Sequence, residues 1–96
     1  MTDTNNISAE QETLLEFPCD FQLKVMGYNQ DDFAEQMRSL AQKHLAEKIT
    51  DDHIIIKPSR TGKFLSVNIN FEAHSKKQID DIYRELTAHK LVTMAL

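Results

Sequence analysis

Apolar and polar side chains alternate without a break from Leu65 to Glu72, which is the pattern of a β-strand with one buried side. Shorter alternating segments at 21–25 and 92–96 predict two more strands of the same kind. A sheet built from such strands leaves one apolar side uncovered. The 96 residues have room for one domain only, so the rest of this chain has to cover that side.

Two amphipathic helices are expected to provide the cover. Apolar residues recur at the spacing of one helical stripe between Asn29 and about Lys48, and Asn29 is the expected N-cap. A second stripe follows Ser75, which fits a capping box with Gln78. Because each helix has one apolar face, both are expected on the same side of the sheet.

A hairpin is predicted between the two helices. The run Ile54–Ile56 is β-branched and is closed by Pro58, which indicates a short strand. Because proline cannot donate to a ladder, this strand belongs at an edge of the sheet. Gly62 is available for a left-handed position in the turn at 59–62, after which the long alternating strand begins.

The element order is therefore β-α-β-β-α-β. With right-handed crossovers it predicts an α+β fold, a ferredoxin-like two-layer sandwich with a four-stranded antiparallel sheet of order 4-1-3-2 and two helices on one face. Gly27 is expected to end the first strand, where it can take a positive φ as the chain turns toward the helix. The predicted core is the apolar side of these elements: Phe21, Leu23, Val25, Phe33, Met37, Leu40, Leu45, Val67, Ile69, Phe71, Ile79, Ile82, Leu86, Val92 and Met94.

Charge separates a tail from the domain. The chain has 11 basic and 15 acidic side chains, a net charge of −4, and much of this acidity lies near the N-terminus. We expect residues 1–13 to form a flexible acidic tail, because they are too polar to offset their ordering entropy, and 14–96 to form the single domain. No apolar run approaches the roughly 18 residues of a membrane span, and the N-terminus lacks a signal peptide's apolar region, which predicts a cytoplasmic protein without a membrane partner.

Three stretches carry a resemblance to a known family: LLEFPCDFQLKVMG at 14–27, KPSRTGKFLSV at 57–67 and LVTMAL at 91–96. In this order they resemble the YbeD-like family of small bacterial proteins of unknown function. The resemblance implies an ACT-like variant of the ferredoxin-like fold and no established enzymatic activity. It also implies an association of the family's genes with lipoate-attachment genes, which supplies no mechanism.

The sequence lacks the residues that several functions of this fold require. RNA recognition needs aromatic side chains on the open face of the two central strands. Cys19 stands alone and no two histidines have a ligand spacing, so we expect no metal and no cofactor. No nucleophile and base have a catalytic spacing, and the chain is predicted not to be an enzyme. We also expect no nucleic-acid partner, because the open face of the two central strands is predicted to show only Gln22, Lys24, Met26, Ser66, Asn68 and Asn70. Lys57, on the neighbouring strand, is expected on or near the same face.

Two neighbouring features are candidate binding sites. The hairpin has a basic cluster that suits an anion or an acidic partner, although turns are commonly charged only because they are solvated. The turn from Val25 to Asn29 is where ACT-like domains bind a small effector, and Gly27 permits close approach to the backbone. The candidate ligand- or partner-binding residues are Lys24, Met26, Gly27, Asn29, Lys57, Ser59, Arg60 and Lys63.

Two functions remain open on these residues. The first is a non-enzymatic regulatory module that binds a small anionic or amino-acid-like effector, or a partner enzyme. The second is a protein–protein interaction or adaptor protein without a small ligand. In either case we expect a homodimer through an edge strand, at 54–57 or 91–96, because isoleucines in the first and the lack of charge in the second leave both edges weakly guarded.

Overall fold

The structure is a computed structural model and describes residues 16–96. The predicted acidic tail, residues 1–13, lies outside the described residues, as does the predicted start of the domain at Leu14. No helix within the described range is long and apolar enough to cross a membrane.

Within residues 16–96, four strands and two helices follow one another in the predicted order. They are β1 (Cys19–Tyr28), α1 (Phe33–Gln42), β2 (Ile54–Pro58), β3 (Phe64–Ala73), α2 (Lys76–Thr87) and β4 (Val92–Ala95), with a short 3-10 turn at Asp51–His53. The strands form one antiparallel sheet in the order β2-β3-β1-β4. This is the predicted 4-1-3-2 order seen from the other side, so the ferredoxin-like fold is confirmed.

The core lies between the sheet and the two helices. Most predicted core residues are fully buried there, and Phe21, Leu40, Leu45 and Val92 pack against them while half-buried. Phe21 contacts the rings of Phe71 and Tyr83 at centroid distances of 5.7 and 6.4 Å. The core also includes residues that the prediction missed: Ala41, Ile49, Ala73 and Leu91.

Helix α1 is shorter than predicted at both ends, and Asn29 is not its N-cap. Asp31 and Asp32 have positive φ values of 52° and 56°, which break the helical path before Phe33. At the other end, the side chain of Gln42 accepts the N–H of Ile49 at 2.7 Å and donates to the Glu47 carbonyl at 2.9 Å. This amide holds a loop where helix was expected, and the loop brings Ile49 into the core.

Strand β4 has a bulge, which corrects the placement of Met94. Gly27 pairs with Val92 and Met26 with Met94, so Thr93 is the extra residue on β4. The bulge reverses the alternation after Val92 and turns Ala95 toward the core. Met94 is therefore 49% exposed on the other face, and its assignment to the core is wrong.

Gly27 lies inside β1, not at its end, and its φ is not positive. A β-carbon built on Gly27 would lie 2.4 Å from the Leu91 carbonyl oxygen and 2.5 Å from two ring atoms of Phe33. The absence of a side chain is thus needed by the protein's own packing. The expectation that Gly27 offers its backbone to a ligand is wrong, because Phe33 occupies that space.

Gly62 has the left-handed conformation that the hairpin prediction requires, with φ of 80°. A β-carbon there would meet nothing within 4 Å, so only the backbone disfavours a side chain. We expect Gly62→Val to reduce the free energy of unfolding by about 1–2 kcal/mol, the cost of a left-handed non-glycine residue. Chemical denaturation measures it, and a variant as stable as the parent would contradict the turn geometry.

Candidate functional site

The open face of the sheet, on the side away from the helices, gathers most of the predicted site residues. Its composition follows from strand register, because alternate residues share a face and paired residues are neighbours. One row across the sheet contains Lys57, Ser66, Met26 and Met94. At the usual strand spacing this row spans roughly 14 Å.

Two further rows flank the first. On one side, Asn68 pairs with Ile55 of β2 and with Lys24 of β1. Lys24 in turn exchanges two backbone hydrogen bonds with Leu96, at 3.0 and 2.7 Å. On the other side, Tyr28 pairs with Phe64. These three rows are hereafter the outer face.

The outer face is more apolar than predicted. Ile55 is 46% exposed, Met94 49% and Leu96 65%. Tyr28 and Phe64 form an aromatic pair with ring centroids 5.2 Å apart, and the Lys63 ammonium lies 5.6 Å from the Phe64 centroid. The expectation of a polar face without aromatic residues is therefore wrong.

Cations are the second component of this surface. Lys24 and Lys57 lie on the outer face as expected, and Arg60 and Lys63 are exposed on the adjoining hairpin. Within residues 16–96 none of these four side chains has an ion-pair partner. Their charges are therefore not neutralised by the domain itself.

The cations of the helix layer, unlike those of the outer face, have carboxylate partners within the described residues. Lys77 and Arg84 both bind Asp81, at 2.8 and 2.9 Å, and the hydrogen bond from Lys77 is the main cause that lowers the pKa of Asp81. Hydrogen bonds from His44 and Lys43 likewise hold the pKa of Glu85 below its ordinary value. These cations are already partnered, so their charge is balanced within the helix layer.

The carboxylate side chains of β1 and β3 lie away from the basic part of the outer face. Asp20 and Glu72 pair with each other at the opposite end of the sheet. Asp31 and Asp32 follow β1 closely, but they line a groove on the helix side together with His89. The open side of the sheet is thus basic at the hairpin end and acidic at the other end.

Asn29 and Ser59 have structural roles at the hairpin. The backbone N–H of Asn29 donates to the Lys63 carbonyl at 3.0 Å, and its side chain donates to the Gly62 carbonyl at 3.1 Å. The Ser59 hydroxyl accepts the N–H of Phe64 at 3.1 Å. These bonds fix the hairpin beside the end of β1 and so position Arg60 and Lys63.

The structure thus brings together Lys24, Met26, Lys57 and Lys63, and places Arg60 close by. Gly27 is excluded, because it is buried on the helix side of the sheet. The two aromatic residues that sequence reasoning missed, Tyr28 and Phe64, could have been found from the strand pattern. Continuing the two-residue period one step beyond Met26 reaches Tyr28, and one step before Ser66 it reaches Phe64.

A small cleft lies at the acidic end, where the loop before β2 passes β3. Glu47, His53, Glu72 and His74 contribute to its walls, and its volume is about 40 Å³. That is room for about one water, compared with roughly 300 Å³ or more for small-molecule pockets. Within the described part of the chain, no three histidine, cysteine or carboxylate side chains converge as metal ligands would.

Comparison with known proteins gives relatives and a structural neighbour. Residues 12–96 match the family DUF493, described as a protein of unknown function. A UPF0250 protein of Ralstonia nicotianae is 42% identical over the whole of both chains. Another of Nitrosomonas europaea is 37% identical over 90% of this chain and 98% of that one.

The structural neighbour is the solution structure of protein HP0495 from H. pylori. It superposes with a TM-score of 0.63 over 85% of both chains, at 18% sequence identity. At that identity the likeness supports the ferredoxin-like fold alone.

Proposed function

Since the chain belongs to the DUF493 family of proteins of unknown function, we propose its function from its own surface: it is a non-enzymatic module that binds an acidic protein partner on the outer face. The observation that carries the proposal is the combination of exposed apolar side chains on the outer face with four cations, on that face and on the adjoining hairpin, that have no ion-pair partner within residues 16–96. The expected link to lipoate attachment contributes no residue to this proposal.

Both components of the outer face are what a protein interface uses. Exposed Ile55, Met94 and Tyr28 supply apolar area whose burial stabilises a complex. The unpaired cations steer an acidic surface toward it and set its orientation. The broad groove at the acidic end of the sheet, about 620 Å³ between residues such as Gln22, Asn70 and His53, lies apart from the three rows of the outer face. An open sheet surface like these rows suits a protein better than a metabolite.

A nucleic acid is the competing macromolecule, because the face does contain aromatic residues. Tyr28 and Phe64 pack on each other, however, and Lys63 approaches the Phe64 ring. Ile55, Met94 and Leu96 offer aliphatic groups, on which bases gain little stacking. These features favour a protein partner.

The small-effector hypothesis has less support. Its site was expected at the turn that follows Val25, with the backbone of Gly27 open to the ligand. That space is filled by Phe33 and by the Leu91 carbonyl. A thermal-shift screen with amino acids and anionic metabolites checks this hypothesis, since a ligand at 100 times its Kd adds about 2.7 kcal/mol of stability.

We expect the double variant Lys24→Glu/Lys57→Glu to lose a partner that the parent chain binds. Reversing two charges within an interface should weaken binding about tenfold or more. Stability should hardly change, because exposed unpaired charges contribute little to it. The partner is captured from cell extract treated with ribonuclease, purified, and its affinity for each variant is measured by calorimetry.

The matched control is Lys48→Glu/Lys90→Glu, which changes the net charge equally at two exposed lysines off the outer face. This control should bind the purified partner as the parent does. Equal affinity for both double variants would refute the outer face as the binding site. Capture of RNA in untreated extract, with no protein retained after ribonuclease, would replace the protein partner by a nucleic acid.

A further inference from the structure

The free edge of β2 has peptide groups that are available for pairing. The Ser59 N–H donates to the Phe64 carbonyl at 2.9 Å, and these two residues continue the register of β2 with β3. Hydrogen-bonded and non-hydrogen-bonded pairs alternate in an antiparallel ladder. Lys57 and Ile55 therefore bond to β3, while Ile54, Ile56 and Pro58 direct their peptide groups to the open edge.

These outward groups are few and well defined. Ile56 presents both its N–H and its carbonyl. Ile54 presents its carbonyl, since its N–H donates to the Asp51 carbonyl in the preceding turn. Pro58 presents only a carbonyl, which explains why a proline is accepted at the end of this strand.

The side chains along this edge are apolar on both faces of the sheet. Ile55, on the outer face, is 46% exposed, and Ile56, on the helix side, is 48% exposed. Ile54 and Ile56 line a groove with Ala34 and Arg38 of α1. Natural edge strands are usually guarded by charge or by a bulge, and no such device interrupts the three isoleucines.

The other edge of the sheet is guarded. The bulge at Thr93 interrupts β4, which is only four residues long. The Thr93 hydroxyl donates to the Met26 carbonyl at 3.1 Å, back toward the sheet. Of the two edges proposed from sequence, β2 is therefore the one that offers a continuous pairing surface.

The charges around β2 identify what fits it. Asp52 precedes the strand, next to Asp51, which already binds Arg38 at 3.0 Å, and Lys57 and Arg60 follow the centre of the strand. When two identical strands pair antiparallel, the beginning of each lies beside the end of the other. The acidic beginning of one copy then meets the basic end of its partner, so the strand is complementary to itself.

We propose that β2 pairs antiparallel with β2 of a second copy about a two-fold axis at Ile55. In this register the Ile56 N–H donates to the carbonyl of the partner subunit's Ile54, and the symmetry repeats the bond. Ile55 contacts the partner subunit's Ile55 on the outer face, and Ile54 contacts the partner subunit's Ile56 on the helix side. The two sheets become one sheet of eight strands, which joins the two outer faces side by side.

Sedimentation of the full chain at micromolar concentration tests the assembly. We expect the parent to sediment at twice its mass of 11.1 kDa, and Ile55→Lys to sediment as a monomer with an unchanged circular dichroism spectrum. Thr93→Lys places the same charge on the other edge and should leave the dimer intact. A monomeric parent, or a dimer that is split by Thr93→Lys and not by Ile55→Lys, would overturn the proposal.

A cysteine tests the register. In a non-hydrogen-bonded antiparallel pair the Cα atoms are about 4.5 Å apart, within disulfide range. Ile55→Cys in a Cys19→Ala background should therefore form a covalent dimer on oxidation, whereas Thr61→Cys at the exposed hairpin should not. Failure of Ile55→Cys to cross-link in a chain that sediments as a dimer would refute the axis at Ile55.

Discussion

Replacing Ile69 with alanine is expected to reduce the free energy of unfolding by about 2–5 kcal/mol. Ile69 is fully buried near the middle of β3, where it pairs with Leu23 on one side and Ile54 on the other. The substitution leaves a cavity between the sheet and the helices that a central strand cannot close. Urea denaturation, with the midpoint and slope determined separately, measures the loss.

The control is Asn68→Ala, the adjacent residue in the same strand. Its side chain lies on the outer face, so its loss should change stability by less than about 1 kcal/mol. A loss below about 1 kcal/mol for Ile69→Ala would mean that the faces of β3 are wrongly assigned.

Gly27→Ala is the second substitution with a large expected effect, a loss of about 1–3 kcal/mol from overpacking. The added methyl group meets the Leu91 carbonyl and the Phe33 ring at distances that require one of them to move. The same Leu91 carbonyl accepts the Tyr28 N–H at 3.0 Å, so its displacement also weakens the link between β1 and the chain before β4. Thermal or urea unfolding measures the effect.

The sign of that effect distinguishes packing from backbone freedom. Where space is available, Gly→Ala usually stabilises by about 0.4–1 kcal/mol, because it restricts the unfolded chain. A stabilised Gly27→Ala would therefore refute the close packing. Combining it with Phe33→Leu should reduce the cost of the alanine, since one of the two obstacles becomes smaller.

Most of the fold was predictable because its periodic segments are long. The alternation through Val67 and Ile69 and the helical stripe through Ile79 and Ile82 each identify a face without ambiguity. The position of the strand ending at Pro58 followed from a single chemical fact, the missing donor of proline. These features determine the sheet order and the side that the helices cover.

The errors occurred where a tertiary contact overrides a local pattern. The helix was predicted to continue past Gln42, because no local signal shows that this side chain binds the backbone at Glu47 and Ile49. Met94 was assigned to the core, because alternation alone does not reveal a bulge at Thr93.

The candidate site was predicted in part. Its cations were found because charge clusters are visible in sequence, as at Lys57, Arg60 and Lys63. Tyr28 was missed because the first strand was expected to stop at Gly27, one residue before it. Gly27 was interpreted as the end of the strand, whereas in the structure its missing side chain leaves room for the Phe33 ring.

The central position of β1 has a consequence for how the chain folds. Both of its neighbours come from the far half of the sequence, β3 at Phe64–Ala73 and β4 at Val92–Ala95. Only β2 and β3 pair through a short local loop, so most of the sheet depends on contacts of high contact order, which form slowly. During synthesis, β1 leaves the ribosome with both edges unpaired, because its partner strands β3 and β4 are synthesised later. The apolar side of β1, with Leu23 and Val25, is then uncovered and open to aggregation.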